Sequence, residues 1–247
     1  MKVYNWDTYT CCSGSYIQNI ADYHNLIYFK DAESLYVNLY LPSEVIWKHP
    51  SGEIRVVQET KYPDADTVTF TVSAQAPARF ALRFRVPAWT RGVSVKVNGA
   101  DTAVDATPGR WAAVTRAWAD GDRIDLRIPL ILRMEPVDRQ HPDRVAVVRG
   151  PVVFVLEGSY HDPNFRLPMR DEELETWLVA EAGTLARGVW AVGAPETDFP
   201  TILRVELPDK KPVRLRFRPF YEIGENYPYF MYFDRRALPW RLWQGPA

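Results

Sequence analysis

The sequence of 247 residues has little cysteine, almost no net charge and no long apolar run. Its two cysteines, Cys11 and Cys12, are adjacent and cannot connect distant loops, which excludes a disulfide-bonded scaffold. A formal net charge of -1 gives neither the basic field of a nucleic-acid-binding protein nor an acidic tail. No apolar stretch approaches the roughly 20 residues of a transmembrane helix, and residues 1–7 lack the apolar centre of a signal peptide. We therefore expect a soluble, cytoplasmic protein that binds neither nucleic acid nor membrane.

The chain is rich in aromatic residues and in short alternating patterns. It contains 9 Trp and 13 Tyr, which suit the core of a β-sandwich and also surfaces that stack on sugar rings. Apolar and polar residues alternate along two stretches, and this period of two indicates half-buried strands. The apolar positions are Val68, Phe70 and Val72 in the first stretch, and Phe80, Leu82, Phe84 and Val86 in the second, where Arg79, Arg83 and Arg85 lie on the opposite face. The dipeptide Asn98-Gly99 predicts a tight turn.

A helix and a hairpin are predicted close to the N-terminus. From Ser13 or Ser15 to about Leu26 the sequence predicts a helix with Ser15 as its N-cap. Its apolar stripe, which requires a packing partner, runs through Ile17, Ile20, Ala21 and His24 at positions i, i+3, i+4 and i+7. Residues 26–29 and 35–41 then form the two predicted strands of a hairpin, which Pro42 ends.

The number of short strands favours an all-β fold. Strand patterns recur every 8–12 residues or so, which is typical of β-sandwiches. Residues 129–142 form a proline-rich seam, and the apolar stretch 145–156, broken at Gly150-Pro151, predicts a strand buried on both faces. We therefore predict two β-sandwich domains preceded by one helix. Residues 1–26 hold the cysteine pair and the helix, residues 27–135 the first sandwich, residues 136–218 the second, and residues 219–247 strands that return to the first sandwich, with a tail.

The cysteine pair lies just before the predicted helix. At a helix N-terminus, unsatisfied N–H groups and the helix dipole favour the thiolate, which is the reactive and metal-binding form of cysteine. Cys11 or Cys12 could therefore be a nucleophile, a zinc ligand, or both. The alternative is a pair of small buried residues without a chemical role, because cysteine is often a plain core residue.

The other polar residues add no complete site. Zinc needs about four ligands, or three and a water molecule, and the nearest histidine, His24, lies roughly 18 Å along the predicted helix. The remaining histidines occur in β regions without the spacing of metal ligands: His49, His141 and His161. A glycosidase needs two carboxylates about 5–10 Å apart. The candidate carboxylates fall at turns or strand edges, where solvated acids are expected: Glu33, Glu44, Glu53 and Glu59.

Several motifs, in a fixed order along the chain, together carry a family resemblance. They are Thr10-Cys11-Cys12-Ser13-Gly14-Ser15, Asn19, Leu26-Ile27-Tyr28-Phe29-Lys30-Asp31, Leu35-Tyr36-Val37-Asn38-Leu39-Tyr40-Leu41-Pro42-Ser43, Phe84-Arg85-Val86-Pro87-Ala88-Trp89, Val97-Asn98-Gly99 and Arg149-Gly150-Pro151-Val152-Val153. This set resembles glycoside hydrolase family 127, the enzymes of the β-L-arabinofuranosidase type. The resemblance covers most of residues 4–233, and its most specific part is the cysteine pair followed by the strand at residues 35–39.

The resemblance implies a fold and a mechanism. Such enzymes carry their active site in an (α/α)6 barrel that two β-sandwiches follow, and the cysteine pair lies near the end of the barrel. By this resemblance Cys11 is a zinc-bound thiolate that attacks the anomeric carbon, and Cys12 is a second zinc ligand. A glutamate is the acid/base, and a further glutamate and cysteine complete the Zn2+ site. Two displacements then retain the anomeric configuration.

The sequence departs from this pattern because the barrel does not precede its cysteine pair. It has no third cysteine, and the acid/base glutamate has no counterpart. We therefore expect residues 1–26 to correspond to the last part of the barrel, and the chain alone to be inactive and without stably bound Zn2+. The expected partners are carbohydrate and, through the apolar helix, either a separate barrel polypeptide or a second copy of this chain. The alternatives are a non-catalytic carbohydrate-binding or scaffolding sandwich, and half of a split enzyme.

Overall fold

The computed structural model describes residues 20–157, 179–180, 190–191, 203–205, 213–215, 217–224 and 229–234. Strands predominate in these parts of the chain and the helical segments are short, so the predicted all-β fold class is confirmed. The chain divides into two compact units between Ile131 and Leu132. In the described residues, no helix has the length and apolar character needed to cross a membrane.

The first unit contains ten strands between residues 20 and 131, and they form two sheets. The strands are β1 (Tyr28–Lys30), β2 (Ser34–Val37), β3 (Ser43–His49), β4 (Gly52–Thr60), β5 (Thr67–Ala74), β6 (Ala78–Arg85), β7 (Ser94–Val97), β8 (Ala100–Thr102), β9 (Trp111–Trp118) and β10 (Arg123–Arg127). The four-stranded sheet has the order β1-β2-β6-β9, in which only β2 and β6 are parallel. The six-stranded sheet has the order β3-β4-β5-β10-β7-β8 and is antiparallel throughout.

The core of the first unit is formed by side chains of both sheets. Because side chains alternate across a strand, Phe80, Leu82 and Phe84 of β6 all point inward, and each is buried. Phe84 meets Phe70 of β5 with their ring centroids 5.1 Å apart. Burying a side chain of this kind stabilises the fold by about 1.5–3 kcal/mol. The alternation predicted for both strands is therefore correct.

The predicted turn and the predicted N-terminal hairpin are also present. Asn98 and Gly99 have φ values of 51° and 82°, as a type I′ turn between β7 and β8 requires. Strands β1 and β2 pair antiparallel, with Tyr28 opposite Val37. β2 ends at Val37, before the predicted end at residue 41, because the next two N–H groups donate to the carbonyl of Ile27 instead of continuing a ladder.

The second unit contains one larger sheet and two strand pairs in its described residues. Its strands are β11 (Leu132–Pro136), β12 (Arg144–Arg149), β13 (Val152–Glu157), β14 (Val179–Ala180), β15 (Trp190–Ala191), β16 (Leu203–Val205), β17 (Val213–Leu215), β18 (Phe217–Pro219), β19 (Tyr229–Phe230) and β20 (Phe233–Asp234). The larger sheet has the order β11-β12-β13-β18, with β19 beside β13 and β20 beside β12. Strands β14 and β15 pair with each other, as do β16 and β17.

Two features of this second unit differ from the sequence-based expectation. Strands β19 and β20 pair with β13 and β12, whereas the sequence suggested that strands in residues 219–247 return to the first sandwich. The apolar stretch 145–156 is a hairpin of two strands rather than one interrupted strand, because the chain reverses at Gly150, which has a φ of 55°. Burial on both faces is nevertheless correct for β12, in which residues 145–148 are all buried.

Candidate functional site

The predicted site residues Cys11 and Cys12 lie outside the described residues. The structure does describe residues 20–30, which follow the pair and join it to the first unit. We refer to them as the junction segment. Residues 20–22 are helical and Tyr23–Leu26 form a 3-10 helix, so the predicted helix ends where the sequence indicated.

Asn38 holds the end of this helical segment against the sandwich. Its side-chain Nδ2 donates a hydrogen bond to the carbonyl of Leu26 at 2.9 Å, and its backbone N–H donates to the carbonyl of Ile27 at 2.8 Å. Carbonyl groups in the last turn of a helix lack partners within the helix. Asn38 supplies such a partner from the end of β2, and thereby fixes where the junction segment meets the four-stranded sheet.

A second anchor is a polar cluster of Tyr28, Ser43 and Gln58, inside the first unit. The Tyr28 hydroxyl lies 3.0 Å from Ser43 Oγ, and Gln58 Nε2 donates to the Tyr28 hydroxyl at 3.1 Å. Nε2 also lies 3.1 Å from Ser43 Oγ and 3.3 Å from the carbonyl of Leu39. Since Tyr28 belongs to the four-stranded sheet and the other two to the six-stranded sheet, the cluster ties the junction segment to both.

The side chains of this cluster have a structural role, not a catalytic one. Burial raises the pKa of the Tyr28 phenol, and its hydrogen bonds with Ser43 and Gln58 lower it only in part. The phenol is therefore neutral near pH 7 and acts as a hydrogen-bonding group, not as a base. Gln58 is 1% exposed, and its Oε1 has no hydrogen-bond partner in the described part of the chain.

One residue in the sequence of β4 predicts this polar cluster, because it interrupts an otherwise apolar alternation. In β4 the inward positions are Ile54, Val56 and Gln58, so a polar amide continues an apolar alternation. A buried amide requires hydrogen-bond partners, because an unpaired polar group in a core is costly. Such a break in an alternating pattern predicts a polar cluster, although it does not identify the partners, which come from other strands.

The histidines and glutamates selected from the sequence do not converge on a site. In the described residues, no group of three or more His, Cys, Asp or Glu side chains could hold a metal ion. His24 is exposed, His49 packs against Trp47 with centroids 4.7 Å apart, and His141 bonds to Asp138 at 2.9 Å. His161 lies outside the described residues. The four glutamates are all exposed, as solvated acids are: Glu33, Glu44, Glu53 and Glu59.

The junction segment presents apolar side chains to solvent. Ile20, Tyr23 and Leu26 are 46%, 55% and 45% exposed, and they repeat every three residues along the helical segment. Phe29 of β1, also within the junction segment, is 45% exposed. Adjacent exposed apolar residues of this size commonly mark an interaction surface. The predicted need of the helix for a packing partner is thus visible in its described residues.

The first unit matches a known family domain. Residues 34–130 match the family model described as β-L-arabinofuranosidase, GH127 middle domain. The match begins at β2 and ends after β10, so it covers nearly all strands of the first unit. The resemblance to glycoside hydrolase family 127 is therefore confirmed for this region. A search of curated proteins gave no match.

Solved structures share the fold of most of the chain. A crystal structure of a GH127 β-L-arabinofuranosidase from Geobacillus stearothermophilus T6 aligns over 91% of this chain, with a TM-score of 0.71 and 24% identity. A structure named only as a glycoside hydrolase aligns over 91% with a TM-score of 0.71 and 23% identity, and a GH127 β-arabinofuranosidase over 85% with a TM-score of 0.63 and 22% identity. The present chain spans only 37%, 39% and 36% of their respective lengths.

Proposed function

We propose that this chain is the C-terminal β-sandwich portion of a glycoside hydrolase resembling β-L-arabinofuranosidases, which hydrolyses glycosidic bonds in plant-type glycans. The match of residues 34–130 to the GH127 middle domain carries this proposal. The structural alignments support it, because they extend over 85% or more of the chain while leaving most of each longer relative unmatched. The chain alone is inactive in this proposal, since the rest of the active site belongs to other polypeptide.

In this proposal Cys11 is the catalytic thiol, and Cys11 and Cys12 are ligands of Zn2+. Thiolate sulfur is a preferred donor for zinc, and the pair supplies two of about four ligands. Bound zinc would keep a coordinating thiol deprotonated. The Cys11 sulfur would form a bond to the anomeric carbon as the glycosidic bond breaks, and water would later displace the sulfur. The acid/base carboxylate and the remaining zinc ligands are assigned to polypeptide outside this chain.

The exposed apolar surface of the junction segment supports a partner polypeptide. Ile20, Tyr23 and Leu26 lie in sequence between the cysteine pair and the first sandwich, and their exposed apolar side chains offer a surface that a partner domain can cover. Burying such side chains stabilises an association by roughly 25 cal/mol per Å2 of apolar area before the costs of binding are subtracted. A helical barrel domain fits the role, whether encoded as part of a longer chain or separately.

The proposal is tested by complementation. The purified chain and a co-purified complex with an (α/α)6 barrel polypeptide from the same genome are incubated with p-nitrophenyl β-L-arabinofuranoside and Zn2+, and release of p-nitrophenol is followed. We expect no release by the chain alone and measurable release by the complex. Cys11→Ser in the complex should abolish release, whereas the neighbouring control Ser13→Ala should preserve most of it.

Two results would contradict the proposal in different ways. Release by the chain alone that disappears in Cys11→Ser would show that no partner is required. A stable, zinc-loaded complex that releases no p-nitrophenol from any arabinofuranoside would remove the enzymatic role and favour the scaffolding alternative.

A further inference from the structure

The outer faces of the two sheets in the first unit differ in how their arginines are paired. On the six-stranded sheet each of the three arginines binds a carboxylate: Arg55 with Glu44 at 2.6 Å, Arg123 with Asp125 at 3.0 Å and Arg127 with Asp66 at 2.7 Å. On the four-stranded sheet the three arginines of β6 have no carboxylate partner among the described residues: Arg79, Arg83 and Arg85. These three arginines thus form no ion pair within the described residues, while the Asp31 carboxylate on this sheet accepts a hydrogen bond from the Tyr36 hydroxyl at 2.8 Å.

Hydrogen bonds hold two of these arginines in place, and each bond uses only one of the N–H donors of its guanidinium. Arg83 Nε donates to Ser34 Oγ at 3.1 Å, and Arg85 Nε donates to the carbonyl of Asn38 at 2.7 Å. Each guanidinium has five N–H donors, and the terminal nitrogens of Arg83 and Arg85 make no hydrogen bond within the described residues. The Arg79 side chain is exposed and makes no hydrogen bond within the described residues. Oriented guanidinium groups of this kind suit paired hydrogen bonds to carboxylates.

Aromatic rings and a strip of small side chains adjoin the arginines. The rings of Tyr36 and Trp111 meet edge to face with centroids 5.1 Å apart, and the guanidinium of Arg83 lies 5.4 Å from the Tyr36 ring. On β9, the edge strand of this sheet, Ala113 is paired with Arg83 and Ala117 with Arg79. The small β9 residues therefore leave a shallow strip beside the row of arginines, and the aromatic pair lies at one end of the sheet face.

We propose that the outer face of the four-stranded sheet binds a carboxylate-bearing oligosaccharide, which lies along β6 and β9. Arg79, Arg83 and Arg85 bind the sugar carboxylates, and the Trp111 and Tyr36 rings contact the sugar faces. An extended uronic acid chain combines spaced carboxylates with flat apolar ring faces, and both features have counterparts here. The surface belongs to the first unit alone, so this inference does not depend on the glycosidase function proposed above.

The test is a titration of the full chain in which isothermal calorimetry measures binding. The probe is tri-galacturonate, and the control ligand is its methyl ester, which has the same sugar chain without the charges. We expect the acid to bind and the ester to bind at least tenfold more weakly. Binding of the acid should weaken severalfold when sodium chloride rises from 50 to 500 mM, because salt screens exposed charges.

Single arginine variants locate the surface. Arg79→Ala and Arg83→Ala should each weaken binding about tenfold, the usual effect of losing one charge-assisted hydrogen bond in a site of this kind. Arg127→Ala removes an equal charge from the six-stranded sheet and should leave the affinity unchanged. The exposed side chain of Arg79 makes no hydrogen bond within the described residues, so its replacement tests the surface even where Arg83→Ala impairs folding.

Three outcomes would overturn the proposal. The first is that tri-galacturonate gives no heat at millimolar concentration, and the second is that its affinity is the same in Arg79→Ala, Arg83→Ala and the wild type. The third outcome is that hexaglutamate binds as tightly as tri-galacturonate with the same sensitivity to both arginines. That result would assign the face to an acidic protein surface instead of a glycan.

Discussion

At the scale of single residues, Asp122 has a buried carboxylate whose oxygens both accept hydrogen bonds. It is 7% exposed, and it accepts hydrogen bonds from the backbone N–H of Ala119 at 2.9 Å and from Asn98 Nδ2 at 2.8 Å. Burial alone would raise the pKa of Asp122. The two hydrogen bonds and the charge of Arg116, 3.8 Å away, outweigh burial and lower the pKa below its ordinary value.

The direction of this shift predicts an acid-dependent contribution to stability. Because the pKa in the folded state is below that in the unfolded state, the contribution is present above about pH 4 and is lost as pH falls through the folded-state pKa. Asp122→Asn turns one acceptor into a donor and should reduce the free energy of unfolding at pH 7 by about 1–3 kcal/mol. Urea denaturation measures the free energy of unfolding at pH 7 and at pH 3. The difference between the two free energies should be smaller in the variant than in the wild type.

Asp101→Asn is the matched control, because Asp101 is 84% exposed and lies 3.5 Å from Lys96. An exposed pair of this kind contributes little, so the control should resemble the wild type at both pH values. Equal stability of Asp122→Asn and the wild type at pH 7 would contradict the assigned role of Asp122.

The residues of the candidate site show the limit of sequence reasoning at this scale. Cys11 and Cys12 were selected as an adjacent pair before a predicted helix, and their roles as nucleophile and ligand come from a family resemblance. Asn38 lies within one of the quoted motifs, yet its hydrogen bond to Leu26 could not be predicted, because it joins a strand end to a helix end twelve positions away. Gln58 is visible as a break in an apolar alternation, but its partners belong to other strands.

At the scale of elements, period-two alternation predicted the strands best where one face is buried. Strands β5 and β6 follow this pattern, and the sequence placed both correctly. The stretch 145–156 could not be divided in the same way, because β12 is buried on both faces and has no alternation to mark its end. The pairing of strands is set by contacts between distant segments, so the strand order of neither sheet could be predicted from the sequence.

The turn between β7 and β8 predicts how much the addition of a single methyl group destabilises the protein. Gly99 has a φ of 82°, and a Cβ placed there would meet nothing within 4 Å, so Gly99→Ala changes only the backbone energy. We expect this variant to lower the free energy of unfolding by about 1 kcal/mol, since residues other than glycine rarely adopt this φ. Gly224→Ala is the control, because Gly224 also has open space but no positive φ, and it should be neutral. Thermal unfolding distinguishes the two, and equal melting temperatures would contradict the assignment of a strained turn.

At the scale of the whole molecule, the described chain consists of two units with separate sheets. The sequence predicted two β domains with a boundary between residues 135 and 136, and the structure divides the chain between Ile131 and Leu132. The difference arises from β11, which lies within the proline-rich seam and pairs with β12 of the second unit. Prolines at 129, 136 and 142 marked the region, but strand pairing determined which residues belong to which unit.

The exposed apolar surface of the junction segment predicts self-association of the isolated chain. Ile20, Tyr23 and Leu26 are each at least 45% exposed in the described part of the chain, so we expect oligomers at micromolar concentration. The double variant Ile20→Lys with Leu26→Lys should shift the chain toward the monomer in multi-angle light scattering. Ile46→Lys is the control, since Ile46 is 56% exposed on the six-stranded sheet and should not change the distribution. A monomeric wild type at all concentrations would contradict this expectation.

The parallel pairing of β2 with β6 determines when, during synthesis, the four-stranded sheet can form around β2. Arg85, at the end of β6, contacts Asn38, at the end of β2, across 47 positions of sequence. Strands β3, β4 and β5 lie between them and pair with their immediate neighbours, which favours rapid formation. At about 5–20 residues per second, the ribosome needs several seconds after β2 to deliver β6. During that interval β2 has only β1 as a partner, so the four-stranded sheet is extended beyond this hairpin by a strand made much later.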